Sequence, residues 1–311
     1  MAKYYNKVAI IGCGAVGASI AYALSIQGTV SEMVLIDVNK DKAEGEVMDI
    51  NHGMLNFSPM NIYCGDYPDT GDCDVIIVAS GVGRKPGESR LDLARNNVRI
   101  AKSVAENIKP YYNGAVIVVV ANPVDILTYT MSQVLDIPQN KIFGTGTTLD
   151  SARFKFFLSE ALEINVSNIH GYVIGEHGDT QFPVVSSISI AGLSLEDYCK
   201  ANNMTVDLDE IVERVKNAGG EVIKRKGATY YAIASSVCRI VDSVIKNEFT
   251  ILPVSTTLCE AYGLSGLSIG VPCILNAEGV YKTIPLRLSE KEEDLLQKSA
   301  GALKKIIDAV L

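Results

Sequence analysis

A chain of 311 residues that is 48% hydrophobic and 21% charged can build two lobes with sizeable cores, and this composition excludes a largely disordered protein. The net charge of −8, without a clustered basic face, argues against nucleic acid as a partner and means that an anionic substrate would need local arginines. The opening run MAKYYNKVAI has no apolar signal core and no stretch resembles a membrane span, so no membrane partner and a cytoplasmic location are expected.

In chain order, residues 7–11, 33–38, 61–64, 74–79 and 115–121 predict strands, several of them apolar without alternation, as strands buried on both faces are. Segments between them, such as 14–27 and 91–109, have helical length and periodicity. The repeated pattern predicts an α/β chain with a doubly wound, Rossmann-type parallel sheet and right-handed crossovers. Near 141–150 the style changes, which puts a lobe boundary near residue 145, with lobes over 1–145 and 146–311. The second lobe, of α+β type, reads as a helix over 149–162 and an irregular, glycine-bearing stretch over 170–179. Two strands around 184–191, helices over 207–225 and 228–246, strands over 251–258 and 268–275, and a last helix follow. That helix opens on Ser289-Glu290-Lys291-Glu292, a capping box in which Ser289 and Glu292 satisfy free amides of the first turn.

Gly12-Cys13-Gly14-Ala15-Val16-Gly17 follows the strand KVAII and opens a helix, the context that gives a G-x-G-x-x-G match its value. Gly12 permits a tight turn, Gly14 lets backbone approach a pyrophosphate, and Gly17 lets helix and strand pack closely. Twenty residues past Gly17, Asp37 ends the run MVLID, where a carboxylate accepts from ribose hydroxyls and repels a 2′-phosphate, so the expected cofactor is NAD. Asn122, after the strand AVIVVVA, supplies a side-chain amide at the carboxyl end of the sheet, with a simple turn as the other reading. Seven scattered cysteines without a C-x-x-C pair read as reduced thiols, and with three histidines no metal site is expected. His177, between glycines in Ile174-Gly175-Glu176-His177-Gly178-Asp179, is a candidate proton carrier; a structural loop histidine is the alternative.

Read together and in order, GCGAVG, VLID, RKPGESR, ANPVD, TTLDSARF, IGEHGDTQFP and KGATYY resemble the L-lactate/malate dehydrogenase family, most of all its short bacterial lactate type, from Lys7 to the last helix. The resemblance implies an NAD-binding lobe over 1–145, a substrate-binding and catalytic lobe over 146–311, and an NAD-dependent oxidoreductase acting on a small 2-hydroxy or 2-oxo acid. His177 would take the proton of the substrate hydroxyl, and Asp150 would hold its tautomer and stabilise the imidazolium. Arg153, three residues on, would grip the substrate carboxylate bidentately. Arg90, in a glycine- and proline-rich stretch fit for a lid, would polarise the carbonyl oxygen on closure.

In this family the residue six before the lid arginine helps choose the substrate, and here it is Arg84 where lactate enzymes have glutamine and malate enzymes arginine. Glu88, which would mask Arg84 by pairing with it, together with Thr229 and the loop around His177, favours lactate; oxaloacetate and malate are the alternative. The resemblance further implies a homo-oligomer, a tetramer or a dimer. It also implies an effector site for fructose 1,6-bisphosphate built on Lys155 and His170, Lys155 standing where an arginine is usual. The weighed rivals are an NAD-dependent glycosidase, distinguished by metal dependence, and a non-catalytic NAD-binding protein.

Overall fold

The computed structural model describes residues 6–83, 87 and 89–311. In the first half, strands and helices alternate: β1 (Lys7–Ile11), α1 (Ala15–Gln27), β2 (Glu32–Ile36), α2 (Lys40–His52), β3 (Asn61–Cys64), β4 (Val75–Val78), α3 (Arg90–Ile108), β5 (Val116–Val119), α4 (Val124–Leu135) and β6 (Ile142–Gly144). VIIV and VIVV, and VAII of β1 after Lys7, are apolar throughout because every residue of β1, β4 and β5 is buried. Burying each Val or Ile of these strands contributes about 1.5–3 kcal/mol. β1 lies between β2 (Val8 beside Met33) and β4 (Val8 beside Val75), all parallel, which gives the spatial order 3-2-1-4-5-6. The order reverses between β1 and β4, and sheets of this kind bind ligands in the crevice beyond the carboxyl ends of the strands at such a point.

The second half holds α5 (Thr148–Leu162), the two-residue strands β7 (Ile169–His170), β8 (Val173–Ile174), β9 (Phe182–Pro183), β10 (Ser189–Ile190) and β11 (Leu193–Ser194), then α6 (Leu195–Asn202), α7 (Leu208–Lys226) and α8 (Tyr231–Ile245). β12 (Thr250–Thr256), β13 (Ile269–Asn276), β14 (Gly279–Thr283) and α9 (Glu290–Val310) complete the described chain. The last three strands continue the first half's sheet: β12 runs antiparallel to β6 through Ser255 and Gly144, with β13 and β14 beyond it, making nine strands in all. α8 and α9 also contribute to the large core over this sheet, through Val237, Val241, Leu296 and Leu303. A smaller core, with Phe154, Leu158, Ile190 and Val215, lies under α5 and α7.

Two expectations need correction. Residues 184–191 do not form a pair of ordinary strands: β9 pairs with β8, a 3₁₀ turn occupies Val185–Ser187, and β10 joins β7 and β11. The helix expected over 228–246 starts at Tyr231, because Gly227 (φ +86°) terminates α7 and an extended turn follows. The Ser289/Glu292 capping box forms in full.

Candidate active site

The crevice is built first by backbone. Gly12 has φ +99°, and a side chain there would also meet the backbone nitrogen of Ser80, just past β4, at 2.5 Å. Gly17 is held by close approach: a Cβ would sit 1.9 Å from the Gly12 carbonyl oxygen, so α1 could not pack on its strand. Around Gly14 a Cβ would meet nothing within 4 Å, and this residue caps α1 without a side-chain hydrogen bond. The first amides of α1 therefore face open space with the positive end of the helix dipole behind them, which suits a pyrophosphate.

Asp37 follows β2 directly. Its Oδ2 accepts from the Cys13 amide at 2.6 Å and its Oδ1 from the Asn39 amide at 2.9 Å. These bonds stitch the carboxylate to the glycine loop, and two of its roughly four lone-pair sites remain for a ribose diol. The buried Ser80 hydroxyl beside Gly12 has no hydrogen-bond partner among the described residues. Open space, free helix amides and an aimed carboxylate together fit NAD. Cys13 is fully buried and its thiol is pushed up to about 12 by burial and by the Asp37 charge, so it stays neutral; all seven cysteines are free.

Asn122 is exposed. Its side-chain oxygen accepts from the Val124 amide at 3.2 Å at the start of α4, and its carbonyl accepts from Asn97 Nδ2 at 2.6 Å. The turn reading is thus realised, while the Asn122 Nδ2 donates to nothing among the described residues and faces no competing partner there.

α5 positions the charged cluster. Asp150 lies in its first turn, where a carboxylate interacts favourably with the helix dipole, and its side chain is 2% exposed. Asp150 Oδ2 meets His177 Nδ1 at 2.6 Å, and Asp150 Oδ1 accepts from Arg153 at 3.2 Å, one helical turn along the same face. Burial works against ionisation of Asp150, but the charge and hydrogen bond of His177, with Arg153, outweigh it and hold the carboxyl below its usual range. Burial likewise opposes a charged His177, yet the Asp150 charge and hydrogen bond and the Asp125 charge push the imidazole up to about 8. A carboxylate at Nδ1 means that Nδ1 carries the hydrogen in the neutral ring, leaving Nε2 to exchange a proton. Such a ring switches between base and acid near physiological pH, beside a guanidinium that can hold an anion.

Comparison with known proteins gives the family of the chain. Residues 6–144 match the family model described as lactate/malate dehydrogenase, NAD binding domain, and residues 147–311 match the lactate/malate dehydrogenase alpha/beta C-terminal domain. The chain belongs to the lactate/malate dehydrogenase family. It is 44% identical to the L-lactate dehydrogenase of Acetivibrio thermocellus over 98% of this chain and 97% of that protein. With L-lactate dehydrogenase 1 of Clostridium acetobutylicum it shares 43% identity over 99% of each. Among solved structures, the minor L-lactate dehydrogenase of Enterococcus mundtii in its ligand-bound form superposes with a TM-score of 0.96 at 38% identity, covering 99% of both chains.

The remaining expected residues of this family member are dispersed around the cluster. Arg90, the first residue of α3, forks the carboxylate of Asp179 at 2.5 and 3.0 Å, two residues past His177. Both side chains are exposed, at 65% and 71%. Arg84 and Glu88, and with them the expected pairing, lie outside the described residues. Thr229 is half-buried in the turn between α7 and α8 and makes no hydrogen bond to the His177–Asp150 pair. Lys155 is half-buried on α5, where burial pushes its ammonium down, while His170 is exposed in β7 and pairs through its backbone with Ser189.

The loop carrying His177 is pinned by residues that sequence reasoning passed over. Gly175 exchanges backbone hydrogen bonds with Gly270 of β13 at 2.9 and 3.0 Å. The Glu176 amide donates to Ser299 of α9 at 2.7 Å, and the His177 amide donates to Asp125 of α4 at 2.8 Å. Asp125 stands inside the Asn122-Pro123-Val124-Asp125 motif, so the signal was at hand; Ser299 has no local signature.

Proposed function

We propose that the chain interconverts pyruvate and NADH with L-lactate and NAD, using His177, Asp150, Arg153 and Arg90. The observation that carries this reading is the shared Asp150 carboxylate, one oxygen on His177 Nδ1 and the other on Arg153, which puts a proton carrier next to a carboxylate grip. Gly12, Gly14, Gly17 and Asp37, with the Asn122 amide, would hold the dinucleotide. When bound, the nicotinamide supplies a hydride to the substrate carbon, or takes one from it.

Arg153 orients pyruvate through its carboxylate so that the carbonyl oxygen faces His177 Nε2. The imidazolium gives its proton to that oxygen as the alcohol forms, and in reverse the neutral ring takes it back. Asp150 stabilises the imidazolium and fixes its tautomer. Arg90 leaves Asp179 on lid closure to stabilise negative charge at the carbonyl oxygen, and the closed lid excludes water.

Lactate is favoured by Thr229, by the loop around His177 and by the relatives, which are L-lactate dehydrogenases at 40–44% identity. Arg84 supports the second reading, malate and oxaloacetate, because a second guanidinium would offset the desolvation of a second carboxylate. The test compares kcat/KM for pyruvate and oxaloacetate. Pyruvate is expected to be preferred, and a preference for oxaloacetate above about tenfold, roughly 1.4 kcal/mol of transition-state discrimination, overturns the choice. In that case Arg84→Gln removes the oxaloacetate preference.

The same reading takes the division near residue 145 as that between cofactor and substrate lobes. It also includes a cytoplasmic homo-oligomer, a tetramer or a dimer, supported by exposed Tyr22, Ile26, Met48 and Leu55 on α1, α2 and the turn that follows. No helix among the described residues is long and apolar enough to cross a membrane. Lys155 and His170 are proposed to bind fructose 1,6-bisphosphate; the expected result is a leftward shift of the pyruvate saturation curve on its addition, and an unmoved curve removes the effector site.

A further inference from the structure

A second buried carboxylate touches the loop that carries His177. Asp125, in the first turn of α4, is 2% exposed. Its Oδ2 accepts from the His177 backbone amide at 2.8 Å, and its Oδ1 accepts from the Ser255 hydroxyl at 2.5 Å. Ser255 belongs to β12, so α4, the His177 loop and the continued sheet meet at this one side chain. No cation lies within ion-pair distance of Asp125 among the described residues.

A neutral acceptor would anchor one backbone amide as well, and burying a carboxylate is costly. What the carboxylate adds is charge in a place where water cannot screen it. The charged groups around His177 are Asp150 and Arg153 from α5, Asp125 from α4, and Glu176 and Asp179 from its own loop, the last forked by Arg90 of α3. β12 and α9 present only the neutral hydroxyls of Ser255 and Ser299. Burial pushes Asp125 up to about 6, with Ser255 and the His177 amide pulling the other way, so it is ionised over the range in which His177 titrates.

We infer that Asp125 is a positioning residue for proton transfer: it fixes the backbone beneath His177 and supplies a buried negative charge that favours the imidazolium. This rests on His177 being the proton carrier. Pyruvate reduction needs the protonated ring, so kcat/KM holds at low pH and falls as pH rises through the His177 titration. Lactate oxidation follows the opposite limb. Removing the Asp125 charge moves both limbs to lower pH.

Asp125→Asn is the decisive variant, because its side-chain oxygen still accepts from the His177 amide and its amide can donate to the Ser255 oxygen. Two readouts are compared: the pH profile of kcat/KM for pyruvate, and the ring titration of His177 by NMR on ¹⁵N-histidine-labelled protein without cofactor. With only three histidines in the chain, His177→Asn assigns the resonance. The expected result is that both midpoints fall together by at least about 0.5 pH unit, a loss of about threefold in kcat/KM above the limb. Ser255→Ala leaves the carboxylate in place and removes one hydrogen bond to it, so its limb moves by less than that of Asp125→Asn.

Unmoved midpoints in Asp125→Asn overturn the inference, as does an equal shift in Ser255→Ala, which would make the effect one of hydrogen bonding. If Asp125→Asn does not fold, Asp125→Ser carries the same test with a smaller acceptor. A wild-type protein without any His177-dependent limb sinks the proposed function itself, whereas a normal wild-type limb that Asp125→Asn does not shift sinks only the role of Asp125.

Discussion

His177→Asn lowers kcat for pyruvate reduction by about 10²–10⁴-fold while leaving NADH binding within about twofold, as read by stopped-flow turnover and by fluorescence titration of NADH. The magnitude is that of a positioned general acid, and the variant removes the only group that Asp150 Oδ2 holds in proton-transfer geometry. The dinucleotide contacts at Gly12, Gly14 and Asp37 lie on other elements, so cofactor affinity is a control that a global disturbance would fail. The substitution also strips one partner from a carboxylate that is almost fully buried, at a cost of about 1–3 kcal/mol in stability. A thermal melt distinguishes that modest loss from unfolding. Retention of more than a tenth of wild-type kcat in a folded variant would remove His177 from the chemistry.

The parts of this molecule that could be read from sequence are those whose cause is local. The turn from β1 into α1 needs glycine at 12 and 17 for reasons confined to a dozen residues, and the capping box at Ser289 spans four. Strands β1, β4 and β5 announce themselves as apolar runs because both faces are covered. The His177–Asp150 contact joins positions 27 residues apart, and spacing alone left His177 an ordinary loop histidine; the ordered set of motifs singled it out. Contacts of still longer reach had no such signal. Arg90 meets Asp179 across 89 residues and Ser255 meets Asp125 across 130, and neither pair leaves a periodicity. The same holds for the sheet: β12–β14 read correctly as strands in part, but their partner, β6, lies in the other half of the chain. The short elements β14 and α6 were missed, since five and eight residues carry little pattern.

Arg153 carries the second large effect, and two substitutions separate its charge from its shape. Its side chain is 18% exposed on α5, with one guanidinium nitrogen on Asp150 Oδ1, so the rest of the planar fork is free to face the substrate. Two charge-assisted hydrogen bonds to the pyruvate carboxylate contribute about 1.5–3 kcal/mol each, and losing them predicts a fall in kcat/KM of about 10²–10⁴-fold, most of it in KM. Arg153→Lys keeps a positive charge without the fork and already suffers most of this loss. Arg153→Gln removes the charge as well, and because the guanidinium opposes the imidazolium of His177, its removal moves the pyruvate limb to higher pH. Arg153→Lys leaves that limb near its wild-type position. The two variants therefore agree in KM and differ in pH profile. If both retained wild-type KM, the substrate carboxylate would have to be held elsewhere; if both moved the limb equally, the role of the Arg153 charge beside His177 would be wrong.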